Sequence, residues 1–422
     1  MSPDAPPQPL DPNHTSARNK KNHKLPLTVL ALGWVSLLTD AASDMIHPLV
    51  PQLLQSIGAG ASWLGWFEGV AEVVSTAMKL ISGRMSDQPH TRKPLIALGY
   101  GIAALSRPLL AIATTPIHAV LIRAIDRVGK GLRGPPRDAM VANAVPKENR
   151  GHAFGFHRMM DNFGGALGPI LAFALLWLVG LPLRTVFALA AIPGLMAVLV
   201  VLLFVRDPAY SSKNSVETNE VDKTEVRPEP TTPEKLRLSS AAKRYLVALC
   251  VFSLAGAGDL FLLRRLSDVG LQSAFVPLAW VFLQFAKGLL NVPGGRASDK
   301  YGRKPVLVLS WILYGATYVG FGLANSWIGA CIWLGLYAVH YGLAEGGQRA
   351  TMAEFVPNNM RGRAYGIQLA TEGVALLIAN VAFGYVYERL GASTAFVGAG
   401  AIAAVGALLL VLLVPAPRES AA

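Results

Sequence analysis

Charge is scarce in this sequence. Of 422 residues only 15% are Asp, Glu, Lys or Arg, against about 25% in ordinary soluble domains. The shortage excludes the two or three soluble domains that this length would otherwise imply. Cysteine is scarcer still: Cys250 and Cys331 both fall inside apolar stretches, where they read as small packing groups rather than a disulfide or a metal pair. There is no His-Glu-x-x-His, no Gly-x-Ser-x-Gly and no Walker-type phosphate loop, so the chain is not read as an enzyme and no cofactor is expected. "GKGLRG" (Gly129–Gly134) sets a Lys between glycines, but no strand precedes it. Without an ATPase module, uphill movement of a solute would have to draw on an ion gradient or on counter-transport.

Apolar residues are plentiful. The chain is 52% hydrophobic with a mean hydropathy of +0.41, and its long apolar stretches each approach the ~20 residues that cross a bilayer. The first set is Leu27–Leu49, Trp63–Ile81, Pro94–Ala113, Ile117–Gly134, Phe154–Val179 and Arg184–Val205. The second is Tyr245–Leu263, Phe275–Val292, Val306–Leu323, Trp327–Leu343, Tyr365–Tyr385 and Thr394–Val414. The pattern predicts an all-α polytopic membrane protein with twelve transmembrane helices. The basic arm Arg18–Lys24 leads into a full-length span, so no cleavable signal is expected.

The formal charge of +12 raises nucleic acid as a partner, but its placement argues against one. Basic residues cluster in alternate loops: Arg18–Lys24, Arg92 and Lys93, Lys147 and Arg150, Lys300–Lys304, Arg361 and Arg363. The opposite loops, such as Gln52–Ser62 and Ala324–Ser326, are nearly uncharged. The positive-inside rule then places both termini in the cytoplasm, with Arg264 and Arg265 as the main exception.

The two sets repeat one another. "GRMSDQPHTRKP" (Gly83–Pro94) returns as "GRASDKYGRKP" (Gly295–Pro305), and "RGHAFG" (Arg150–Gly155) as "RGRAYG" (Arg361–Gly366). Arg137 corresponds to Arg349 in the same way. The expected organisation is an N-terminal arm (1–24), a six-helix half (25–205), a polar flexible linker (206–243), a second half (244–415) and a short tail (416–422). Parallel six-span repeats build some transporter folds, with substrate sites at the repeat interface near mid-membrane.

Gly-x-x-x-Asp-x-x-Gly-Arg-Lys after the second span, repeated after the eighth, resembles motif A of the major facilitator superfamily (MFS). The likeness runs from Leu27 to Pro415, and "LLTDAASDMIHPLVPQLL" and "RVGKGLRGPPRDA…GFHRMMDNFGG" resemble a prokaryotic branch of predicted permeases without an assigned substrate. The first copy departs from the pattern, with an extra residue in Gln88–Arg92 and His90-Thr91 where Gly would sit. The resemblance implies two gating latches that hold one face closed: Asp87 near Arg361 with Arg137, and Asp299 near Arg150 with Arg349. It also implies that spans one, four, seven and ten line a central cavity while three, six, nine and twelve lie outside.

The residues bear on that expectation independently. At 100° per residue, Arg123, Asp126, Arg127, Lys130, Arg133 and Arg137 of the fourth span fall on one arc of about 120°. Charge at the bilayer centre costs about 2.5–3.5 kcal/mol per residue on insertion scales, so such a stripe points to water or to partner charges. Asp40, Asp44 and His47 share a face of the first span, and Glu68, Glu72 and Lys79 a face of the second. The fifth carries His157, Arg158 and Asp161, whereas the sixth, ninth and twelfth have essentially no mid-helix charge. Burial raises a carboxylate pKa and a nearby Arg lowers it, which lets a carboxylate trade a proton near neutral pH. Asp40 and Asp44 are the leading proton carriers, with Arg123 as the partner that tunes them. For Glu68, Glu72 and Asp161 a static ion pair is the competing reading.

Arg123-x-x-Asp126-x-x-Gly129-x-Gly131 resembles motif B, whose Arg is linked to proton movement; Asp126 and Arg127 depart from it. Gly155, Gly164, Gly168 and Pro169 carry most of motif C, associated with antiport and export, with Ala172-Phe173 in place of its closing Gly-Gly. Small residues there imply close helix packing and Pro169 a bend. The expectation is a monomeric, proton-coupled exporter of a small molecule, in contact with membrane lipid in the cytoplasmic membrane of a prokaryote. A metal or metal-chelate carrier, drawing on His47, His157, Met45, Met159 and Met160, and a non-transporting sensor or assembly factor remain as alternatives.

Overall fold

The computed structural model describes residues 25–86, 91–146, 149–205, 238–356 and 361–415. Among these the regular structure is helical throughout. Helix α1 (Leu27–Ile46) passes through a 3₁₀ turn, His47–Leu49, into α2 (Val50–Ser56). Pro48 and Pro51 sit in first turns, where a missing N–H breaks no ladder bond. The first apolar stretch therefore bends at His47 and runs on to Ser56 rather than stopping at Leu49. Next come α3 (Ala61–Met85), α4 (Arg92–Ser106, extended by a 3₁₀ segment Arg107–Ile112) and α5 (Pro116–Asn143). Helix α6 (Arg150–Phe173) contains Pro169 and ends in a π turn, Ala174–Leu178. Two pieces, α7 (Leu183–Leu189) and α8 (Ala191–Phe204), complete the first half.

The second half holds α9 (Ser240–Ser253), α10 (Asp259–Asp268), α11 (Val276–Tyr301) and α12 (Arg303–Leu323). It closes with α13 (Trp327–Glu354), α14 (Arg361–Leu390) and α15 (Ala392–Leu413). Gly302 and Gly391 turn the chain between neighbouring helices at φ +88° and +91°, a backbone region that favours glycine. Helix α9 starts inside the stretch assigned to the linker, because Ser239 Oγ accepts from Ala242 N at 3.1 Å and caps it there. The rest of the expected linker, the arm 1–24 and the tail 416–422 lie outside the described residues.

Nine helical stretches among the described residues are long and apolar enough to cross a bilayer. Helices α3 and α5 are long enough, at 25 and 28 residues, but their charges keep them out of that set. The expected seventh span differs for another reason: it is not one helix. It breaks at residues 254–258, and the freed backbone groups are satisfied from neighbouring helices. Tyr314 and Tyr318 hydroxyls donate to the Ala255 and Ala257 carbonyls at 3.0 Å each. Asn380 Oδ1 accepts from Gly258 N at 2.7 Å. A broken helix at membrane depth is tolerated only where protein supplies such partners.

The packing repeats as the sequence does. In the first half α4 packs on α5 and α8, α3 on α5, and α1 on α8; in the second α12 packs on α13 and α15, α11 on α13, and α9 on α15. The halves meet along α3 with α14 and α6 with α11. The outward faces are apolar, with Leu202 and Leu412 more than half exposed, as suits a surface solvated by lipid. Arg264 and Arg265, the exceptions to the loop charge pattern, are both engaged. Arg265 donates to the carbonyls of Phe321, Gly322 and Ala324 at the end of α12, where a cation meets the negative helix terminus. Arg264 pairs with Asp268 at 3.0 Å.

Candidate functional site

The stripe on α5 divides into two parts. Its inner part is a closed network around Asp126, which is 3% exposed. Arg107 Nε, from the segment after α4, donates to Asp126 Oδ1 at 2.9 Å, and its Nη1 donates to the Thr39 carbonyl at 2.9 Å. Arg123 Nη2 donates to Glu68 Oε1 at 3.1 Å and lies 3.3 Å from His47 Nδ1. Arg123 Nη1 and Arg127 Nε each approach Asp126 Oδ2 to 3.8 Å. Phe67 lies beneath the Arg123 guanidinium, 4.8 Å from its ring centroid. Burying so many charges is tolerable because each cation meets a carboxylate or a carbonyl.

Arg123 therefore answers to Glu68, His47 and Asp126, and not to Asp40 and Asp44 as expected. Its position on α5 faces His47 at the end of α1 and Glu68 of α3. Arg107, the lone charge of the third apolar stretch, is the main counterion of Asp126.

The outer part of the stripe lines a cavity of about 1370 Å³ between the halves. Asp40 and Asp44 face it from α1, Arg127, Lys130, Arg133 and Arg137 from α5, and Arg158 and Asp161 from α6. Helix α11 supplies the opposing wall, including Trp280, Val281, Phe285 and Leu289. The His47 and Trp280 rings meet edge-on, with centroids 4.9 Å apart, at one end. Asp161 sits 3.5 Å from His157 Nδ1, and Ser36 Oγ is 2.9 Å from His157 Nε2. Arg137 pairs with Asp138 at 2.9 Å and reaches Ser36 Oγ at 3.4 Å. Asp40, Asp44 and Lys130 have no hydrogen-bond or ion-pair partner among the described residues. Glu72 stands apart: it is exposed, accepts from Thr76 Oγ1 at 3.5 Å, and lines neither this cavity nor the next.

A second cavity of about 720 Å³ lies within the C-terminal half. Phe252, Tyr314, Tyr337, His340 and Tyr341 give it an aromatic wall, and Tyr341 lines both cavities. Tyr314 comes from α12, one of the helices expected to lie outside. Beside this wall Lys287 Nζ donates to Asp259 Oδ2 at 2.7 Å, and Tyr337 Oη to Asp259 Oδ1 at 2.7 Å. Sequence reasoning missed this cluster. Its signals were two isolated charges in apolar stretches, Asp259 after Gly258 and Lys287 in the eighth.

The cavities close at one end. Helices α3 and α14 approach backbone to backbone, with Gly65 against Asn380, Gly69 against Leu377 and Gly384 against Ala61. Ser62 N donates to Glu388 Oε2 at 2.9 Å across the same seam. Phe275 of one half packs at a tilt against Trp177 of the other, with ring centroids 5.0 Å apart. The larger cavity extends away from this seam toward Arg137, Asp138 and Arg158.

The expected packing glycines divide as well. A side chain at Gly164 would strike the Leu37 backbone, and one at Gly168 the Ala41 carbonyl and Met45 N, so these two let α6 lie directly on α1. Gly155 is different: it borders the cavity and a Cβ there would meet nothing. It is not a packing residue, because it faces the cavity while its neighbours Phe156 and His157 turn toward Gly33 and Ser36 of α1.

The Major Facilitator Superfamily model matches residues 32–282 and 265–422. The chain belongs to that superfamily. It is 27% identical over 401 residues to an uncharacterized MFS-type transporter of Methanocaldococcus jannaschii, covering 94% of this chain and 97% of that one. It is 23% identical over 347 residues to the multi-drug resistance efflux pump PmrA of Streptococcus pneumoniae, covering 78% and 81%. Among solved structures, the nucleoside transporter NupG superposes with a TM-score of 0.71 at 17% identity, over 92% of this chain and 98% of that one. A D-xylose–proton symporter gives 0.71 at 16%, over 93% and 98%. These structures bear on the fold alone: a polytopic helical membrane protein with an MFS transporter architecture.

Of the latch residues that the superfamily resemblance implies, Arg137 holds Asp138, and Arg150 Nε donates to the Ala142 carbonyl at 3.0 Å. Asp87 and the side chains of Asp299, Arg349 and Arg361 lie outside the described residues.

Proposed function

We propose that this MFS protein is a twelve-span secondary transporter with cytoplasmic termini that exports a small solute across a prokaryotic cytoplasmic membrane in exchange for protons. The carrying observation is the pair Asp40 and Asp44: two carboxylates four residues apart on α1 that face the central cavity without a partner among the described residues. Carboxylates left unpaired beside a cavity can take protons when it opens to one side and release them to the other. The inner network has no such freedom, since every oxygen of Asp126 is flanked by guanidinium. Arg123 and Asp126 accordingly anchor α5, while Lys130 and the two aspartates form the working face.

With the loop charges read by the positive-inside rule, the closed seam at Ser62 and Glu388 is external and the cavity opens to the cytoplasm. The latches formed around Asp87 and Asp299 would then engage in the opposite, outward-open state. Gly164 and Gly168 hold α6 on α1, so the two helices tilt as one body during that exchange. Kinship to named drug-efflux proteins supports the outward direction. The metal-carrier reading is not carried further, because among the described residues no three His, Cys, Asp or Glu side chains come together.

The test is proton movement in proteoliposomes with an entrapped pH dye and a panel of cationic, neutral and anionic organic solutes. A transported solute should dissipate an imposed pH gradient through the wild type and fail to do so through Asp40→Asn or Asp44→Asn, although those variants still bind it. Solute flux without any proton movement would sink the coupling. Asp87→Asn should slow cycling more than it weakens binding; equal loss of both would remove the latch.

A further inference from the structure

The two cavities differ in chemistry, and the difference specifies a ligand. Four groups on the wall of the larger one are acidic: Asp40, Asp44, Asp138 and Asp161. Six are basic, namely Lys79, Arg127, Lys130, Arg133, Arg137 and Arg158. One of the acids is already engaged, Asp138 by Arg137, and Asp161 Oδ1 lies 3.5 Å from His157 Nδ1. Lys79, Lys130 and Arg158 meet no acid among the described residues, and Arg127 only shares Asp126 at 3.8 Å. Arg133 is the most telling. It is 5% exposed, its guanidinium rests 4.4 Å from the Tyr100 ring centroid, and its Nη1 donates to nothing. A buried guanidinium donor without an acceptor is costly and calls for an anion.

Lys287 is the contrasting case. Asp259 takes its charge at 2.7 Å, and the rings of Tyr341, Tyr337 and Trp280 lie 4.3, 5.1 and 6.0 Å from its ammonium. That cation is satisfied, so the C-terminal wall offers ring faces and apolar side chains rather than free charge. Trp280, Phe285 and Tyr341 line the same cavity as Lys130 and Arg133, from the C-terminal half.

We infer that the cavity takes an organic anion with a flat ring body, its carboxylate or phosphate held by Arg127, Lys130 and Arg133 and its rings against Trp280 and Tyr341. The inference rests on reading the cavity as the transport site, and it names the cargo class. A rigid ring suits these walls because stacking on aromatic faces costs little conformational freedom.

Binding is measured on the full-length protein in detergent micelles by titration calorimetry, which needs no transport. The probes are 1-naphthyl phosphate, 1-naphthol, 1-naphthylmethylamine and octyl phosphate. We expect the naphthyl phosphate to bind at least about tenfold tighter than naphthol, in line with a charge-assisted contact, and the amine not at all. Lys130→Gln, an exposed position, should reduce the preference of phosphate over naphthol several-fold. Trp280→Phe should weaken all ring probes alike and keep the charge order.

Tighter binding of the amine, or silence from every probe, would overturn the anion. Octyl phosphate binding better than naphthyl phosphate would overturn the flat ring in favour of a lipid-like chain. Naphthyl phosphate binding in a protein that moves no protons leaves the anion standing and removes only the coupling proposed above.

Discussion

Arg107 and Asp126 meet at 2.9 Å with side chains 4% exposed, joining the end of the third apolar stretch to the middle of the fourth. Both charges are buried, and each is the other's chief partner. Breaking a buried pair by removing one member costs about 3–5 kcal/mol, whereas replacing both with apolar groups of similar size is often neutral. Asp126→Leu should therefore lower the melting temperature sharply, and Arg107→Met with Asp126→Leu should recover much of the loss. Thermal denaturation in detergent measures both. A double variant as unstable as the single one would show that Arg107 matters mainly to the Thr39 carbonyl.

Gly164 and Gly168 should be intolerant where Gly155 is not. Overpacking costs about 1–3 kcal/mol when a neighbour must move, and here the neighbour is the α1 backbone. Gly168→Val should destabilise by at least that order and abolish transport, while Gly155→Ala leaves the melting temperature unchanged. Equal effects at the two sites would mean that Gly155, like Gly168, packs against a neighbouring helix.

The seam that closes the cavity offers a measure of conformational balance. Glu388→Ala removes the bond from Ser62 N, a net contribution of about 0.5–1.5 kcal/mol, which should raise the fraction with the seam open by roughly two- to tenfold. Labelling of Ser62→Cys by a membrane-impermeant thiol reagent reads this, with Cys250 and Cys331 changed to Ser. Labelling should be slower with Glu388 present than with Glu388→Ala; no difference would assign the closure to the glycine contacts alone.

Tyr318 carries a backbone task. Its hydroxyl donates to Ala257 in the break between α9 and α10, so Tyr318→Phe leaves a buried carbonyl unpaired at a cost of about 1–3 kcal/mol. The variant should melt earlier and show faster hydrogen exchange at residues 254–258. Unchanged exchange there would mean that Tyr314 and Asn380 hold the break without it.

How much of this was written in the chain follows from the range of each interaction. Apolar length, the repeated "GR-x-SD" segments and the one-sided charge of α5 are local patterns, and they carried the helical membrane class, the two halves and the facing of the stripe. The sequence determined that Arg123, Asp126, Lys130 and Arg133 share a face. It could not say which acids they meet, because partners at 3 Å come from helices that are neighbours only after packing. Tertiary structure gave Arg123 to Glu68, gave Asp126 to Arg107, and left Asp40, Asp44 and Lys130 around the cavity with no partner among the described residues. It also separated Gly155 from Gly164 and Gly168, since whether a glycine is needed depends on the distance to a second helix. The break before Asp259 was decided in the same way. A glycine-containing stretch that apolar periodicity reads as a continuous span opens only because Tyr314, Tyr318 and Asn380 stand ready to satisfy its backbone.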